Sequence, residues 1–149
     1  MDGQPDIDRP LNTRGYNDSH RMAKEFIESN PRPQVFVSSP AIRAISTALI
    51  FAGEFDLPKS EIRIEPTLYD TDAEDYLNFI RSLDEKTESV MIFGHNPSIS
   101  DFYTLFSDQF LEIPTCSMVV FEVSASKWSE ISPMNCKVKE LRTPKKQAV

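Results

Sequence analysis

The sequence predicts an α/β protein: a mainly parallel β-sheet flanked by helices on both faces, with an antiparallel hairpin at the C-terminal end. Three observations predict it. Two short apolar runs, Val35-Phe36-Val37 and Val90-Met91-Ile92-Phe93, do not alternate, as expected of strands covered on both faces. Segments with helical spacing of apolar residues lie between them. A further apolar run, Met118 to Val123, is followed by "SASK" and then by Trp128 to Ile131, which reads as a hairpin. Strands alternating with helices favour a parallel sheet. The 149 residues suit one domain, expected over 1–149.

Taken in order, Asn12 is the expected N-cap of a first helix with Tyr16, Ala23, Phe26 and Ile27 on one face. Val35-Phe36-Val37 follows as a strand. "SPAIRAISTALIFAGEF" carries Ile42, Ile45 and Leu49 at helical spacing. Ile62-Arg63-Ile64 has the length of a short strand. Thr71 followed by Glu74 has the pattern of a capping box for "AEDYLNFIRSL". The run at 90–93 is the next strand, and the hairpin closes the domain.

Composition narrows the function. A net charge of −7 and the lack of a basic stripe exclude a nucleic-acid surface. The only basic stretch is the tail "TPKKQAV", expected to fray. No apolar run is long enough to cross a bilayer, and "MDGQPDIDRP" has neither part of a signal peptide. Cys116 and Cys136 lack metal-ligand spacing and are expected to be reduced thiols. These features point to the cytoplasm and to no membrane partner.

Two junctions share one grammar. "VFVSSPAIRA" and "VMIFGHNPSIS" each run from a buried strand through small or polar residues to a proline suited to the first helical position. Ser39 and Asn96 are then the expected N-caps. In a parallel sheet such strand ends share one edge, where ligands bind. Arg43 falls in the first helical turn, where the dipole already presents positive charge, so a cation is mildly misplaced. An anion in front of that turn would reverse the sign and make a phosphate site. An arginine turned to solvent accounts for the pattern equally well. His95 alone would read as a loop-holding residue. Beside Arg43 and the repeated junction it reads as an active-site residue: a stabiliser of phosphoryl charge, a nucleophile or a proton carrier.

The segments "DRPLNTRG" (8–15), "VSSPAIRAISTA" (37–48), "LYDTDAEDYL" (68–77), "SVMIFGHNPSISD" (89–101) and "PTCSMVVFE" (114–122) resemble, in order and spacing, the histidine phosphatase superfamily with its phosphoglycerate-mutase-like fold. The resemblance is nearest to the small bacterial SixA-type phosphohistidine phosphatases. It implies hydrolysis of phosphohistidine or a small phosphomonoester through a phosphohistidine intermediate. "SSPAIRA" would supply a phosphate-binding arginine as Arg43, "GHNP" a pocket histidine as His95, and the backbone N–H of Asn96 a further donor. No metal or organic cofactor is implied. The expected partner is a phosphorylated protein or a small phosphorylated substrate. The short span after "SSPAIRA", without an inserted helical lid, suits a protein-borne phosphoryl group.

The family's nucleophile stands in an Arg-His-Gly or Arg-His-Ala stretch at the end of its first strand. No Arg-His pair occurs in this sequence. The sequence therefore reads as an N-terminally short version of the fold; the alternative is a catalytically inactive phosphate-binding or interaction module. His20, in "NDSHRMAKEF", reads as a structural or partly exposed residue on the packing face of the first helix. Arg14 could reach the pocket, but a solvated helix charge explains it. Ser38 and Ser39 could donate to phosphate. Asp70, Asp72 and Glu74 include no clear general acid and are explained by helix capping. Cys116 reads as a small packed residue.

Overall fold

The computed structural model describes residues 6–95, 98–107, 109, 113–114 and 116–144. The fold is α/β, with a parallel three-stranded sheet, helices and an antiparallel C-terminal hairpin. Its residues group into two compact units. One contains the residues up to Tyr69 together with Thr87–Gly94; the other contains Asp70–Lys86 and the chain from His95 onward.

The first unit begins with helix α1, Thr13–Ser29. Asn12 caps it as expected, its side chain accepting from the Gly15 N–H at 2.7 Å. The buried stripe is Gly15, Ser19, Met22, Ala23 and Phe26. Tyr16 is not part of it: the ring is 53% exposed and packs edge-on against His20, with centroids 4.7 Å apart. The expected packing face is therefore rotated, because Gly15 and Ser19 offer a flatter surface than Tyr16 for close helix contact.

Strand β1, Val35–Ser38, lies between β2, Ile62–Ile64, and β3, Val90–Phe93, with both pairings parallel. Helix α2, Ile42–Glu54, packs on α1 and along the sheet. Its buried face is Ala44, Ala48, Ile50, Phe51 and Ala52. Ile42 and Leu49, expected inside, are 40% and 41% exposed. The alanines at i, i+4 and i+8 form a small-residue stripe that permits close approach, whereas the branched residues would hold the helix away. An aromatic cluster fills this unit. Phe36 lies 5.9 Å from Phe93 and 6.1 Å from Phe55, Phe51 lies 5.5 Å from Phe93, and Phe26 lies 6.0 Å from Phe55. Burying each such ring contributes about 1.5–3 kcal/mol.

The two edges of this sheet differ. β2 is short and carries Arg63, which reaches Glu65 at 2.9 Å. β3 is wholly apolar and pairs only with β1 among the described residues. An uncharged edge is unusual in a sheet whose other edge is guarded by a charge.

The second unit is built from α3, Ala73–Arg81; α4, Ser98–Ser107; and the antiparallel pair β4, Met118–Val123, and β5, Cys136–Arg142. The capping box of α3 is Asp72 with Asp75, not Thr71 with Glu74. Asp72 accepts from the Asp75 N–H at 3.0 Å. Two carboxylates gain from the helix dipole, which a threonine does not. Phe121 packs between Phe102 and Phe106, at 5.4 and 5.5 Å.

The expected hairpin partner at Trp128 to Ile131 is also corrected. Trp128–Glu130 forms a 3-10 turn, and the strand that pairs with β4 is β5. The Arg81 guanidinium donates twice to the Ile131 carbonyl, at 3.0 and 2.9 Å. Asn135 accepts from the Ser132 N–H and donates to the Glu130 carbonyl, both at 2.8 Å. These bonds consume the backbone groups that a strand at this point would have needed.

Candidate active site

In the first unit the strand ends meet at Ser38 and Ser39. The Glu65 N–H donates to the Ser38 carbonyl at 2.8 Å, and the Ser39 N–H donates to the Phe93 carbonyl at 2.9 Å. All three strands are thus tied together at their C-terminal ends, the edge where a parallel sheet presents ligand-binding residues. Ser38 is fully buried, and its hydroxyl donates to the Ser39 carbonyl at 2.8 Å. Its proton is therefore directed at the protein.

The helix after this junction starts later than expected. Its N-cap is Ala41, not Ser39, and Pro40 precedes the cap. The Ala44 and Ile45 N–H groups both donate to the Ala41 carbonyl at 3.0 Å, which sets the first helical turn. Ser39 accepts from the Ala41 N–H at 3.2 Å, closing the turn before the helix. Arg43 is then the second residue of α2, in its first turn, and that turn holds no acidic residue. Its side chain is half-buried. Its carbonyl accepts from the Thr47 hydroxyl at 3.0 Å. A guanidinium, a helix N-terminus and no carboxylate in that turn make an environment suited to an anion.

Arg14 stands elsewhere in this unit. Its side chain is 79% exposed, 3.7 Å from Asp18. His20 is half-buried beside Tyr16.

In the second unit, His95 directly precedes the α4 region. The residue is half-buried and its Nδ1 is removed from solvent. Its carbonyl accepts from the Ile99 N–H at 3.4 Å. Its backbone N–H donates to the hydroxyl oxygen of Tyr76, a side chain only 2% exposed. Burial pushes the Tyr76 phenol up to about 12, and the bond from His95 opposes that rise without reversing it. The phenol is therefore neutral at physiological pH. The Ser98 hydroxyl donates to the Thr71 carbonyl. Thr71 Oγ1 is buried without a hydrogen-bond partner among the described residues. Asn96, expected as both N-cap and phosphate donor, and Pro97 lie outside the described residues.

Of the acidic candidates, Asp72 is committed to capping, and Asp70 has left-handed backbone, φ 54°. Cys136 is buried, which raises its thiol to about 11. Cys116 is half-buried with φ 64°. Among the described residues, no group of three or more His, Cys, Asp or Glu side chains could hold a metal ion.

Tyr76 was invisible to sequence reasoning as a site residue. An aromatic at helical spacing beside Leu77 and Ile80 reads as core, and its ring is indeed core.

Residues 1–86 match the family described as histidine phosphatase superfamily (branch 1). This is more than half of the 149 residues. The chain belongs to the histidine phosphatase superfamily. The match includes "SSPAIRA" and hence Arg43, whereas "GHNP" lies beyond it. No curated protein matches the chain in sequence. Among solved structures, the fold is similar to that of SixA from Nakamurella multipartitia, with a TM-score of 0.81 at 16% identity over 97% of this chain and 90% of that one. SixA from Agrobacterium tumefaciens gives a TM-score of 0.80 at 22% identity, covering 97% and 89%. The protein histidine phosphatase SixA complexed with tungstate gives 0.79 at 20% identity, covering 97% and 90%. At these identities the likeness establishes the fold. Among the described residues no helix is long and apolar enough to cross a membrane.

Proposed function

We propose that the protein is a cytoplasmic phosphatase acting on phosphohistidine in a protein or on a small phosphomonoester, through a phosphohistidine intermediate. In this reading Arg43 and His95 hold the phosphoryl oxygens, with the Asn96 N–H as a further donor. The observation that carries it is Arg43 in an acid-free first turn of α2, within the segment that matches the superfamily. In the reaction that the resemblance implies, a histidine nitrogen attacks phosphorus, the bond to the leaving imidazole or alkoxide breaks, and the leaving group takes up a proton; neither His20 nor His95 is assigned that attack. Water then attacks the phosphohistidine. The P–N bond breaks, the imidazole is regenerated and orthophosphate leaves. Guanidinium and imidazolium groups are suited to the charge that develops on the oxygens.

A second reading is favoured by one observation. The sequence has two histidines, His20 and His95, and neither stands in an Arg-His-Gly or Arg-His-Ala stretch. A phosphate-binding or interaction module needs no nucleophile. Release of orthophosphate from a phosphohistidine peptide, with a sugar phosphate as competitor, separates the readings. Turnover of the peptide that Arg43→Ala and His95→Ala abolish supports the phosphatase. Binding of orthophosphate without turnover of either substrate supports the module. Turnover or binding unchanged in both variants refutes the assignment of these residues.

A further inference from the structure

We propose that the Thr71 hydroxyl is a further ligand of the bound phosphoryl group, donating to one of its oxygens. The inference rests on the reading of His95 as a phosphoryl ligand. Thr71 leads into α3, between Asp70, whose backbone is left-handed, and Asp72. Its place in the sequence suits a cap of α3, but Asp72 and Asp75 form the capping box between them. The Thr71 hydroxyl is thereby left out of the helix start. Asp70, Asp72, Glu74 and Asp75 are all exposed. Thr71 Oγ1, by contrast, is buried without a hydrogen-bond partner among the described residues. The polar atom that this segment turns inward is therefore its neutral one. The Thr71 carbonyl accepts from the hydroxyl of Ser98, the first residue of α4, which is itself buried. His95 stands three residues before Ser98, and its Nδ1 is also removed from solvent.

A buried hydroxyl with no partner costs more than an ordinary hydrogen bond returns. Folding alone would favour valine here, which has the same shape and no unmet polar atom. A hydroxyl kept at such a place calls for something that meets it. Its surroundings say what. The bond to Ser98 fixes the Thr71 backbone against the first turn of α4, where free N–H groups and the helix dipole favour an anion. A hydroxyl donates one hydrogen bond and adds no charge, and an anionic phosphoryl oxygen is a strong acceptor. Because the backbone is already tied, little freedom is lost when that bond forms.

The test compares wild type, Thr71→Val, Thr71→Ser and His95→Ala. Orthovanadate affinity is measured by calorimetry and folding by urea titration. In Thr71→Val the urea midpoint stays at or above that of wild type, because the fold loses no bond. Its vanadate affinity falls about three- to tenfold, the scale of one lost hydrogen bond. Thr71→Ser, which keeps the hydroxyl, binds vanadate more tightly than Thr71→Val. Wild-type affinity in Thr71→Val overturns the proposal. So does a loss of affinity that comes with a lower urea midpoint, because the hydroxyl then serves the fold. If His95→Ala weakens binding and Thr71→Val does not, this proposal fails and the reading of His95 stands. If the wild type does not bind vanadate, that reading fails and takes the proposal with it.

Discussion

Replacing Arg43 with alanine separates a functional arginine from a structural one, because the two predict opposite balances of affinity and stability. Arg43 is the second residue of α2, and no acidic side chain in that turn offsets its charge. A cation at a helix N-terminus is unfavourable by roughly 0.3–1 kcal/mol. Removing it relieves that term, against which stand the packing of its half-buried stem and its other contacts. Net stability should therefore change by less than about 1 kcal/mol in either direction. A charge-assisted bond to a phosphate oxygen is worth about 1.5–3 kcal/mol. At about 1.4 kcal/mol per decade, this is roughly a ten- to hundredfold loss of affinity. The assay pairs orthophosphate titration by calorimetry with urea unfolding on the same preparations. An affinity within about twofold of wild type would refute the reasoning. So would a stability loss above roughly 2 kcal/mol, the signature of an arginine that holds the fold together.

Further expectations concern the framework. Asp72→Ala removes the α3 cap and should lower stability by about 1 kcal/mol in urea unfolding; no change would mean the capping box contributes nothing. Tyr76 ionises near pH 10 when unfolded and near 12 in the fold. Below pH 10 this phenol is protonated in both states and adds no pH dependence, although the buried Cys136 thiol, raised to about 11, already lowers stability above its unfolded value near 9. Above pH 10 the unfolded state loses the phenol proton first, so from this group stability should fall by about 1.4 kcal/mol per pH unit up to about pH 12. Tyr76→Phe should flatten that fall, as read by urea titrations from pH 9 to 11.5. The bonds Val35 N–H to Ser89 carbonyl and Ser39 N–H to Phe93 carbonyl set the alternation of β3. They turn the backbone groups of Val90 and Ile92 away from β1. Their amides should exchange much faster than those of Met91 and Phe93. Protection at Val90 and Ile92 would show another strand on this edge.

Local signals were legible where their cause lies within a few residues. Asn12 needed only the Gly15 N–H to act as a cap, and its side chain finds it. The strand at 90–93 declared itself by being apolar on both faces, and Ile62–Ile64 by its β-branched ends. Arg43 was legible as a first-turn cation, and remained so although the helix starts two residues later than Ser39 would have set it. Where several local solutions compete, the sequence did not choose. Thr71 and Asp72 are both capping residues, and neighbouring carboxylates decided for Asp72.

From its residues alone this protein is an α/β chain with two matching strand-to-helix junctions, one bearing Arg43 and the other His95. Those features depend on composition, periodicity and capping, all short-ranged. Tertiary structure alone decided the rest. Whether Trp128 or Cys136 begins the partner of β4 depends on an Arg81 guanidinium fifty residues away from the carbonyl it holds. Whether isoleucines or alanines of α2 face inward depends on how closely its neighbours approach. Pattern encodes which residues wish to be buried; only the packed chain decides which polar atom each of them brings along, and to whom it is joined.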